Sequence, residues 1–328
     1  MTSSATPPAS PQVFVGIDVA KDALDMARSD TGELLHVPND PAGFASLLAA
    51  LIPARPACIV IEATGGMEQP LLEALLDAGL PVARVNPAHV RHLAKALGIL
   101  AKTDAIDAAV LVEFARKAEP RLAVKRSKVQ GELEALVTCR RQLKTSKVQQ
   151  TNRLGATTSK PARKAIQAVV YVLEKQIKAL DKQIEARIDS DDDFRQMNQL
   201  LQSVPGVGQG LSSALIAGLA ELGETGRREL SALVGVAPFN KDSGKSRGKR
   251  AIRGGRAALR CVLYMATLAS MRSNPIIRAF ASHLKAKSKP PKVVIVACMR
   301  KLLSLLNAMV RDNLSWQQLN VVKHAQTA

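Results

Sequence analysis

Short apolar runs alternate with helical patterns over the first 118 residues. Three runs are rich in Val and Ile and are typical of buried strands, namely 12–18, 57–62 and 81–85. A further short strand is expected near 24–28, and helical periodicity is found at about 41–52, 67–78, 88–97 and 104–117. Strands interleaved with helices predict an α/β sheet that carries helices on its faces.

The pattern changes between residues 128 and 188, where Lys and Gln are frequent and glycine is absent from 132 to 154. Two apolar series repeat every seven residues with an offset of four: Ile166, Leu173 and Leu180, then Val170, Ile177 and Ile184. Three heptads with apolar a and d positions predict a coiled-coil arm. The arm pairs either within the chain, through a turn at 155–161, or with another subunit.

The chain from residue 196 onward is helical in pattern. Its expected helices lie at about 210–222, 228–234, 255–272, 275–286 and 291–311. The sequence PGVG at 205–208 precedes the first of them. It is either part of a helix-hairpin-helix element, whose glycines let backbone N–H groups approach a phosphate backbone, or a plain tight turn between helices.

Charge is distributed unevenly along the chain. Residues 1–118 carry 9 Lys and Arg against 13 Asp and Glu, a net charge of −4, whereas residues 119–328 carry 37 against 15, a net charge of +22. A basic surface of this size indicates binding to a polyanion. Aromatic residues are only 3% of the chain, so binding to nucleic acid would depend on backbone charge and shape more than on base stacking.

Four acidic residues end two predicted strands and open one predicted helix. Asp18 ends the first apolar run, Glu62 ends the second, and Asp104 and Asp107 lie three residues apart. Each alone is equally explained as a surface or helix-terminal carboxylate, but together they can converge on one point. Because unpaired carboxylates repel one another, convergence favours a hard divalent cation such as Mg²⁺, with Mn²⁺ as an alternative, and phosphoryl-transfer chemistry on nucleic acid. Neighbouring acidic residues, Glu68 among them, are expected at the surface.

Residues 239–256 differ in composition from their surroundings, with seven Lys and Arg, four glycines, two serines and one Asp. A flexible cationic loop before a helix can hold a phosphate by charge and by backbone N–H groups. Ser243 or Ser246 could attack a DNA phosphate, because neighbouring cations would stabilise the developing negative charge, or could simply contact a phosphate. The candidate nucleic-acid contacts are Lys245, Arg247, Lys249, Arg250 and Arg253.

Several classes of protein are disfavoured. The stretch 243–246 lacks the glycine that a phosphate-binding P-loop needs five residues before Gly244, where Phe239 stands. Basic residues interrupt the longest apolar stretches, so no membrane span is expected. Four widely separated cysteines indicate reduced thiols, and residues 1–11 are expected to be disordered and to lack the features of a signal peptide. These observations favour a cytoplasmic location.

Six motifs occur in order along the chain: GIDVAK at 16–21, IEATG at 61–65, VNP at 85–87, KTDAIDA at 102–108, PGVG at 205–208 and DSG at 242–244. Together they resemble the DEDD insertion-sequence transposases, a family of recombinases guided by a structured bridge RNA. The resemblance extends from about residue 12 to 312. Each motif alone is weak, whereas the ordered set is specific.

The resemblance implies a fold of the α/β plus all-α class. An RNase H-like (RuvC-like) catalytic domain is expected at 12–120, after the N-terminal segment 1–11. A coiled-coil helical arm that serves dimerisation is expected at 121–195, and a helical transposase domain that carries the nucleophile loop at 196–328.

The resemblance also implies a chemistry. Asp18, Glu62, Asp104 and Asp107 match the tetrad that binds Mg²⁺, and Ser243, within the DSG motif, matches the serine that attacks DNA and forms a covalent phosphoserine link. The implied partners are donor and target double-stranded DNA, a guide RNA, and further copies of the chain, from a dimer to a tetramer in which the tetrad of one subunit acts with the serine of another. The implied function is RNA-guided DNA strand cleavage and exchange by the transposase of an insertion sequence.

Three other interpretations use the same features differently. A metal-dependent junction-resolving nuclease would use the tetrad with water as the nucleophile and would leave no protein attached to DNA. A non-catalytic nucleic-acid-binding protein would not need four carboxylates. An actin-like sugar kinase also opens on a Gly-Ile-Asp strand end, but the basic second part of the chain and the missing nucleotide-binding glycine motifs disfavour it.

Overall fold

A five-stranded mixed sheet organises the first of two structural units, which extends to Arg126. Its strands are β1 (Phe14–Val19), β2 (Ala23–Arg28), β3 (Leu34–Pro38), β4 (Cys58–Glu62) and β5 (Val82–Val85). They are ordered β3-β2-β1-β4-β5 across the sheet. The first three strands pair antiparallel, whereas β4 and β5 run parallel to β1, so the sheet is mixed.

The computed structural model describes residues 12–319 except positions 100, 102, 126, 241, 244, 245 and 249. At positions 104, 105, 243, 246 and 247 it describes the backbone alone. The expected disorder of residues 1–11 concerns positions outside the described residues.

Helices cover both faces of the sheet. They are α1 (Pro41–Ala54), α2 (Gln69–Asp77), α3 (Pro87–Ala96) and α4 (Asp104–Ala118). Successive side chains of a strand point to opposite faces. In β1, Val15 and Ile17 therefore belong to the apolar layer of α1 and α2, whereas Phe14 packs in the layer of α3 and α4.

The backbone of α4 lies directly against β1 at Gly16. A Cβ atom at Gly16 would be 2.3 Å from the carbonyl oxygen of Ala108 and 2.7 Å from the backbone nitrogen of Val112. Heavy atoms do not approach so closely, so β1 accepts the helix at this distance only because residue 16 has no side chain.

The sequence did not predict β3, which forms the edge of the sheet beside β2. Of its five side chains only Val37 is buried. The strand therefore lacks the continuous apolar run that identified β1 and β4, and its formation depends on pairing with β2.

The predicted arm is a helical hairpin at the start of the second unit, which begins at Ser127. Its helices are α5 (Lys128–Ala156) and α6 (Lys160–Asp189). Arg140 pairs with Asp181, and Lys147 Nζ lies 2.8 Å from a carboxylate oxygen of Glu174, so the two helices run antiparallel. Of the two predicted modes, the structure shows pairing within the chain, because the heptad residue Ile177 is buried and the heptad residue Ile184 is 1% exposed.

Further helices complete the second unit. They are α7 (Asp192–Gln202), α8 (Gln209–Gly218), α9 (Arg227–Val234), α10 (Ala257–Ser273), α11 (Pro275–Ala286) and α12 (Pro291–Asp312). They share one apolar core, to which α12 contributes Leu302, Leu303 and Leu306. The helical prediction for this part of the chain is therefore confirmed.

The expectation that no apolar stretch reaches membrane-spanning length needs correction. Despite Arg300 and Lys301, α12 is long and apolar enough to cross a membrane by length and composition. Half of its apolar stretch is buried inside the second unit, however, and the core helix of a folded unit meets the same criterion. Its apolar character is explained by this core.

Substitution of Gly16 by alanine should destabilise the first unit. The new methyl group would meet backbone atoms of α4, which cannot rotate away, and overpacking of this kind typically costs about 1–3 kcal/mol. We expect a lower melting temperature in thermal unfolding followed by circular dichroism.

The matched control is Gly131→Ala in α5, where an added Cβ atom meets open space. Alanine is favoured over glycine inside a helix by up to about 1 kcal/mol, so this variant should melt at the same or a higher temperature. Equal melting temperatures for Gly16→Ala and the unsubstituted protein would contradict the close contact of α4 with β1.

Candidate active site

Asp18 and Glu62 lie side by side at the ends of two adjacent parallel strands. The register pairs Ile17 of β1 with Ile61 of β4, so the two acidic residues that follow are level with each other. Both are partly buried, and both have polar partners in the structure.

The two carboxylates belong to the face of the sheet that α3 and α4 cover. Gly16 faces α4, and Asp18 follows it by two residues, so both belong to the same face. Val60 packs in the apolar layer of α3 and α4, and Glu62 follows it by two residues. The strand pattern thus brings both carboxylates to one end and one face of the sheet.

The first turn of α4 supplies the other two acidic residues. The Thr103 hydroxyl caps the helix by accepting a hydrogen bond of 3.3 Å from the backbone N–H of Ile106. Asp104 begins the helix, and Asp107 stands one turn later with its side chain 17% exposed. The positive end of the helix dipole favours carboxylates at these positions.

Asp107 lies at the same end of the sheet as Asp18 and Glu62. Its Oδ1 is 3.7 Å from Nη1 of Arg91, which stands one turn into α3. Helix α3 follows directly on β5, and Val85 at the end of β5 is level with Glu62. The structure therefore brings Asp18, Glu62 and the start of α4 to one edge of the sheet, the edge formed by the carboxyl ends of β1, β4 and β5.

Among the side chains that the structure describes, no three metal-binding groups lie close enough together to hold an ion. The side chain of Asp104 is outside that set. The available donors at this edge are carboxylate oxygens, which are the ligands that Mg²⁺ prefers. The donor chemistry fits a hard cation, which would compete with Arg91 for Asp107.

Glu68 is not the surface residue that was expected, because its side chain is only 3% exposed. Its Oε2 accepts hydrogen bonds from the backbone N–H groups of Thr64 (3.0 Å) and Gly66 (2.9 Å), and its Oε1 lies 3.4 Å from Nη1 of Arg84. These bonds fix the loop that follows Glu62. The only signal in the sequence was a carboxylate two residues after a Gly-Gly pair. In the structure both glycines have positive φ, at 67° and 105°, which lets the loop turn back toward Glu68.

Ser243 lies in a two-stranded ribbon where the sequence had predicted a flexible loop. At the base of the ribbon β6 (Pro238–Phe239) pairs with β9 (Ala251–Ile252), and further out β7 (Asp242–Ser243) pairs with β8 (Ser246–Arg247). Ser243 is in register with Ser246. Asp242 Oδ1 accepts a 3.1 Å hydrogen bond from the backbone N–H of Gly248, which links the two sides of the ribbon.

The predicted nucleic-acid contacts are distributed along this ribbon. Arg250 is exposed, and the Arg253 guanidinium lies 5.3 Å from the centre of the Phe239 ring. Arg247 belongs to β8, with only its backbone described. Lys245 and Lys249 lie outside the described residues.

Two glycines hold the base of the ribbon together. Gly235 ends α9 in the left-handed conformation, at φ 74°, and a Cβ atom there would be 2.2 Å from the carbonyl oxygen of Gly254. A Cβ atom at Gly255 would be 2.3 Å from the backbone nitrogen of Gly235. The two ends of the segment therefore meet without side chains between them.

A bidentate ion pair reinforces the same base. Arg256 Nη1 and Nη2 donate to the two carboxylate oxygens of Glu221 at 2.6 and 2.7 Å. Arg260 Nη1 donates to the carbonyl oxygens of Gly235 and Gly254. Paired arginines at the base thus anchor a ribbon whose outer part carries Ser243.

The PGVG turn is explained by packing inside the second unit. Gly206 has φ 90°, and a Cβ atom there would be 2.5 Å from the backbone nitrogen and from the hydroxyl of Ser270 in α10. The fold therefore requires a glycine at position 206, whether or not the turn contacts a phosphate backbone. Gly208 is exposed and caps the N-terminus of α8.

Models of two transposase domains match this chain. A model of the DEDD transposase domain of IS110 elements matches residues 15–159, which include all four acidic residues of the tetrad. A model described as "Transposase IS116/IS110/IS902 family" matches residues 198–282, which include Ser243. Together with the mixed sheet and the helical second unit, the first model confirms the predicted RNase H-like α/β domain followed by helical parts.

Similar proteins support the same assignment over most of the chain. The pilin gene-inverting proteins of Moraxella bovis and Moraxella lacunata are each 28% identical over 312 residues, which cover 92% of this chain and 97% of each relative. The transposase for insertion sequence element IS1111A of Coxiella burnetii is 24% identical over 70% of both chains.

Among solved structures, the chain is similar to T. thermophilus RuvC in complex with a Holliday junction substrate. The identity is 17% and the TM-score is 0.28, with coverage of 34% of this chain and 100% of the RuvC chain.

Proposed function

The chain belongs to the DEDD transposases of the IS110 type, and we propose that it exchanges DNA strands through a covalent bond between Ser243 and a DNA phosphate. Membership in this family supports DNA cleavage and dependence on a divalent cation, which we propose to be Mg²⁺. The observation that carries the proposal is the placement of Asp18, Glu62 and the first turn of α4 at the same end of the sheet. The match of the second transposase model to residues that include Ser243 supports the serine step.

The carboxylates of this edge would hold the cation. Asp18 and Glu62 would bind from the strand ends, and Asp104 and Asp107 from the helix. A bound divalent cation would polarise the scissile phosphate. The carboxylates would orient that phosphate and take up or return protons at the reacting oxygens.

The serine would act by transesterification. The oxygen Oγ of Ser243 attacks the phosphorus and loses its proton, a new O–P bond forms, and the bond from phosphorus to the 3′ oxygen breaks. The leaving 3′ oxygen takes a proton. In the second step a 3′ hydroxyl of the partner strand attacks the phosphoserine and releases Ser243, so one phosphodiester is made for each one broken.

This sequence of steps needs no nucleotide cofactor, because the phosphoserine conserves the phosphodiester. That agrees with the missing P-loop glycine at position 239. Two relatives carry the name pilin gene-inverting protein, and inversion of a DNA segment requires that cut strands be rejoined. Arginines of the ribbon, such as Arg250 and Arg253, would neutralise charge that develops on the phosphate.

We further propose that a structured guide RNA and further copies of the chain take part. The net charge of +22 over residues 119–328 supports binding of two nucleic acids. The heptad residues Ile177 and Ile184 are buried within the chain, so copies would associate through other apolar residues of the arm. Val148, Val169 and Val172 are exposed there.

Removal of a tetrad carboxylate should abolish cleavage and leave binding intact. Asp18→Asn removes a charge from the candidate cation site. The rate of cleavage of a labelled donor duplex, measured in Mg²⁺ or Mn²⁺ with RNA transcribed from the non-coding DNA that flanks the gene, should fall by at least about a hundredfold. Binding to the same duplex in EDTA should be unchanged, because the basic second unit is untouched.

The control is Asp77→Asn, the same change of charge in the first unit at an exposed residue that pairs with Lys125. This variant should cleave normally. Full cleavage by Asp18→Asn would remove the residue from the mechanism.

Ser243 should become covalently attached to DNA. With a nicked suicide substrate, Mg²⁺ and RNA transcribed from the non-coding DNA that flanks the gene, the unsubstituted protein should give a denaturant-resistant protein–DNA adduct. Ser243→Ala should give none, whereas Ser246→Ala should still form it, and omission of the RNA should prevent it.

Two outcomes would overturn parts of this proposal. An adduct that persists in Ser243→Ala would identify another nucleophile. Free-ended cleavage products without any adduct would favour a nuclease that uses water, and an adduct that forms equally well without RNA would contradict guidance.

Self-association should depend on the exposed valines of α6. Val169→Ser combined with Val172→Ser removes two half-exposed apolar side chains and should lower the molar mass in light scattering. Ile52→Ser combined with Val293→Ser, at comparably exposed positions elsewhere, should leave it unchanged. A mass that is equal in both variants and in the unsubstituted protein would exclude this face of the arm from assembly.

A further inference from the structure

A shallow groove between α10 and α11 carries three cations that the site described above does not use. It has a volume of about 240 Å³. Arg272 of α10 and Arg278, Ser282 and Lys285 of α11 line it, over an apolar floor that includes Leu268. A volume this small is below the range of about 300–1,000 Å³ that is usual for small-molecule sites.

Within the described part of the chain, the three cations of the groove lack the ion pairs that several arginines of this unit form. Arg140, Arg187, Arg195 and Arg256 each pair with an acidic residue. No carboxylate among the described residues forms an ion pair with Arg272, Arg278 or Lys285. Like charges gathered in one groove repel one another, so the arrangement favours an external anion.

The sequence around the groove shows the same imbalance over a longer stretch. From Ser243 to Arg311 the chain contains sixteen Lys and Arg and neither Asp nor Glu. Helices α10 and α11 therefore have no acidic residue of their own that could neutralise the groove. Acidic residues are present at Asp191, Asp192 and Asp193 in the same unit, so their absence here is local.

The spacing of the cations fits a chain of phosphates better than a single one. Arg278, Ser282 and Lys285 are four and three residues apart, which puts them on one face of α11. From Arg278 to Lys285 the helix rises about 10 Å, which is more than the width of one phosphate group, so the two side chains can contact different phosphates of a strand. Arg272 extends the row across the groove from the last turn of α10.

We propose that this groove binds the phosphodiester backbone of a nucleic acid, as a second contact surface separate from the ribbon that carries Ser243. The proposal rests on the proposed function insofar as that function requires nucleic acid. Contacts from Arg, Lys and Ser to phosphate position a nucleic acid without reading its sequence. The groove would thus fix the path of a strand, while base pairing or another surface selects the sequence.

The test compares the triple variant Arg272→Gln, Arg278→Gln, Lys285→Gln with the unsubstituted full-length protein by binding titrations in EDTA at several salt concentrations. Separate titrations use a labelled DNA duplex and an RNA hairpin transcript, which distinguish the two sources of phosphate. For the nucleic acid that occupies the groove, the affinity of the triple variant should fall on the order of tenfold. The slope of log K against log[salt] should become shallower by about 0.9 for each duplex phosphate that is no longer neutralised.

A matched control removes the same charge from the arm: Lys164→Gln, Lys175→Gln, Lys182→Gln, three exposed lysines of α6. A second variant, Arg278→Lys with Arg272→Lys, keeps the charge and should retain the salt slope. Melting temperatures should agree among all variants, because the substituted side chains are exposed.

The proposal would be overturned if the triple variant kept the salt slope and affinity of the unsubstituted protein for both DNA and RNA. It would also be overturned if the control variant lost as much affinity as the triple variant. These outcomes are distinct from failure of the proposed function. That function fails when the unsubstituted protein forms no adduct through Ser243, whereas the groove is judged by binding in EDTA, where no cleavage is required.

Discussion

The candidate active site depends on one contact, in which the backbone of α4 lies against β1 at Gly16. No side chain separates the helix from the strand there, and a Cβ atom would fall 2.3 Å from the carbonyl oxygen of Ala108. The contact fixes where α4 begins relative to the ends of β1 and β4. As a consequence, acidic residues of three distant segments stand at the same end of the sheet, where Arg91, the N-terminus of α4 and a bound divalent cation would each offset their mutual repulsion.

The second unit carries its candidate nucleophile, Ser243, among positively charged residues, in contrast to the acidic residues of the first unit. Its ribbon is anchored at the base by the meeting of Gly235 with Gly255 and by the bidentate Arg256–Glu221 pair, whereas exposed cations such as Arg250 accompany Ser243 further out. Acidic residues outnumber basic ones over residues 1–118 and are missing from Ser243 to Arg311. This separation of charge suits the two proposed roles, cation binding by the first unit and phosphate binding by the second, since mixed charges would neutralise both.

The sequence predicted the features that depend on local pattern. Buried strands such as β1 and β4 stand out as apolar runs, and the acidic residues at their ends follow from parallel pairing. The heptads predicted the hairpin but left its partner open, because Ile177 and Ile184 look alike in an internal and an intermolecular coiled coil. β3 was missed because only Val37 is buried, and Glu68 because its partners are backbone N–H groups that no side-chain pattern reveals.

Contacts distant in sequence were likewise beyond prediction. The Gly206–Ser270 packing, the Gly235–Gly255 contact and the groove of α10 and α11 each join residues that pattern analysis treats separately. The ribbon around Ser243 has strands of only two residues, which is too short for periodicity to identify. The basic surroundings made both Ser243 and Ser246 candidate nucleophiles, and the preference for Ser243 rests on the order of motifs.

Anomalous diffraction from crystals of the protein soaked in Mn²⁺ tests the central claim most directly. A Mn²⁺ peak should lie about 2 Å from carboxylate oxygens of Asp18 and Glu62, beside the first turn of α4, and should be absent in crystals of Asp18→Asn. A peak at another place, or none while Asp107 keeps Arg91 and the strand-end carboxylates keep their protein partners, would contradict a cation site at this edge.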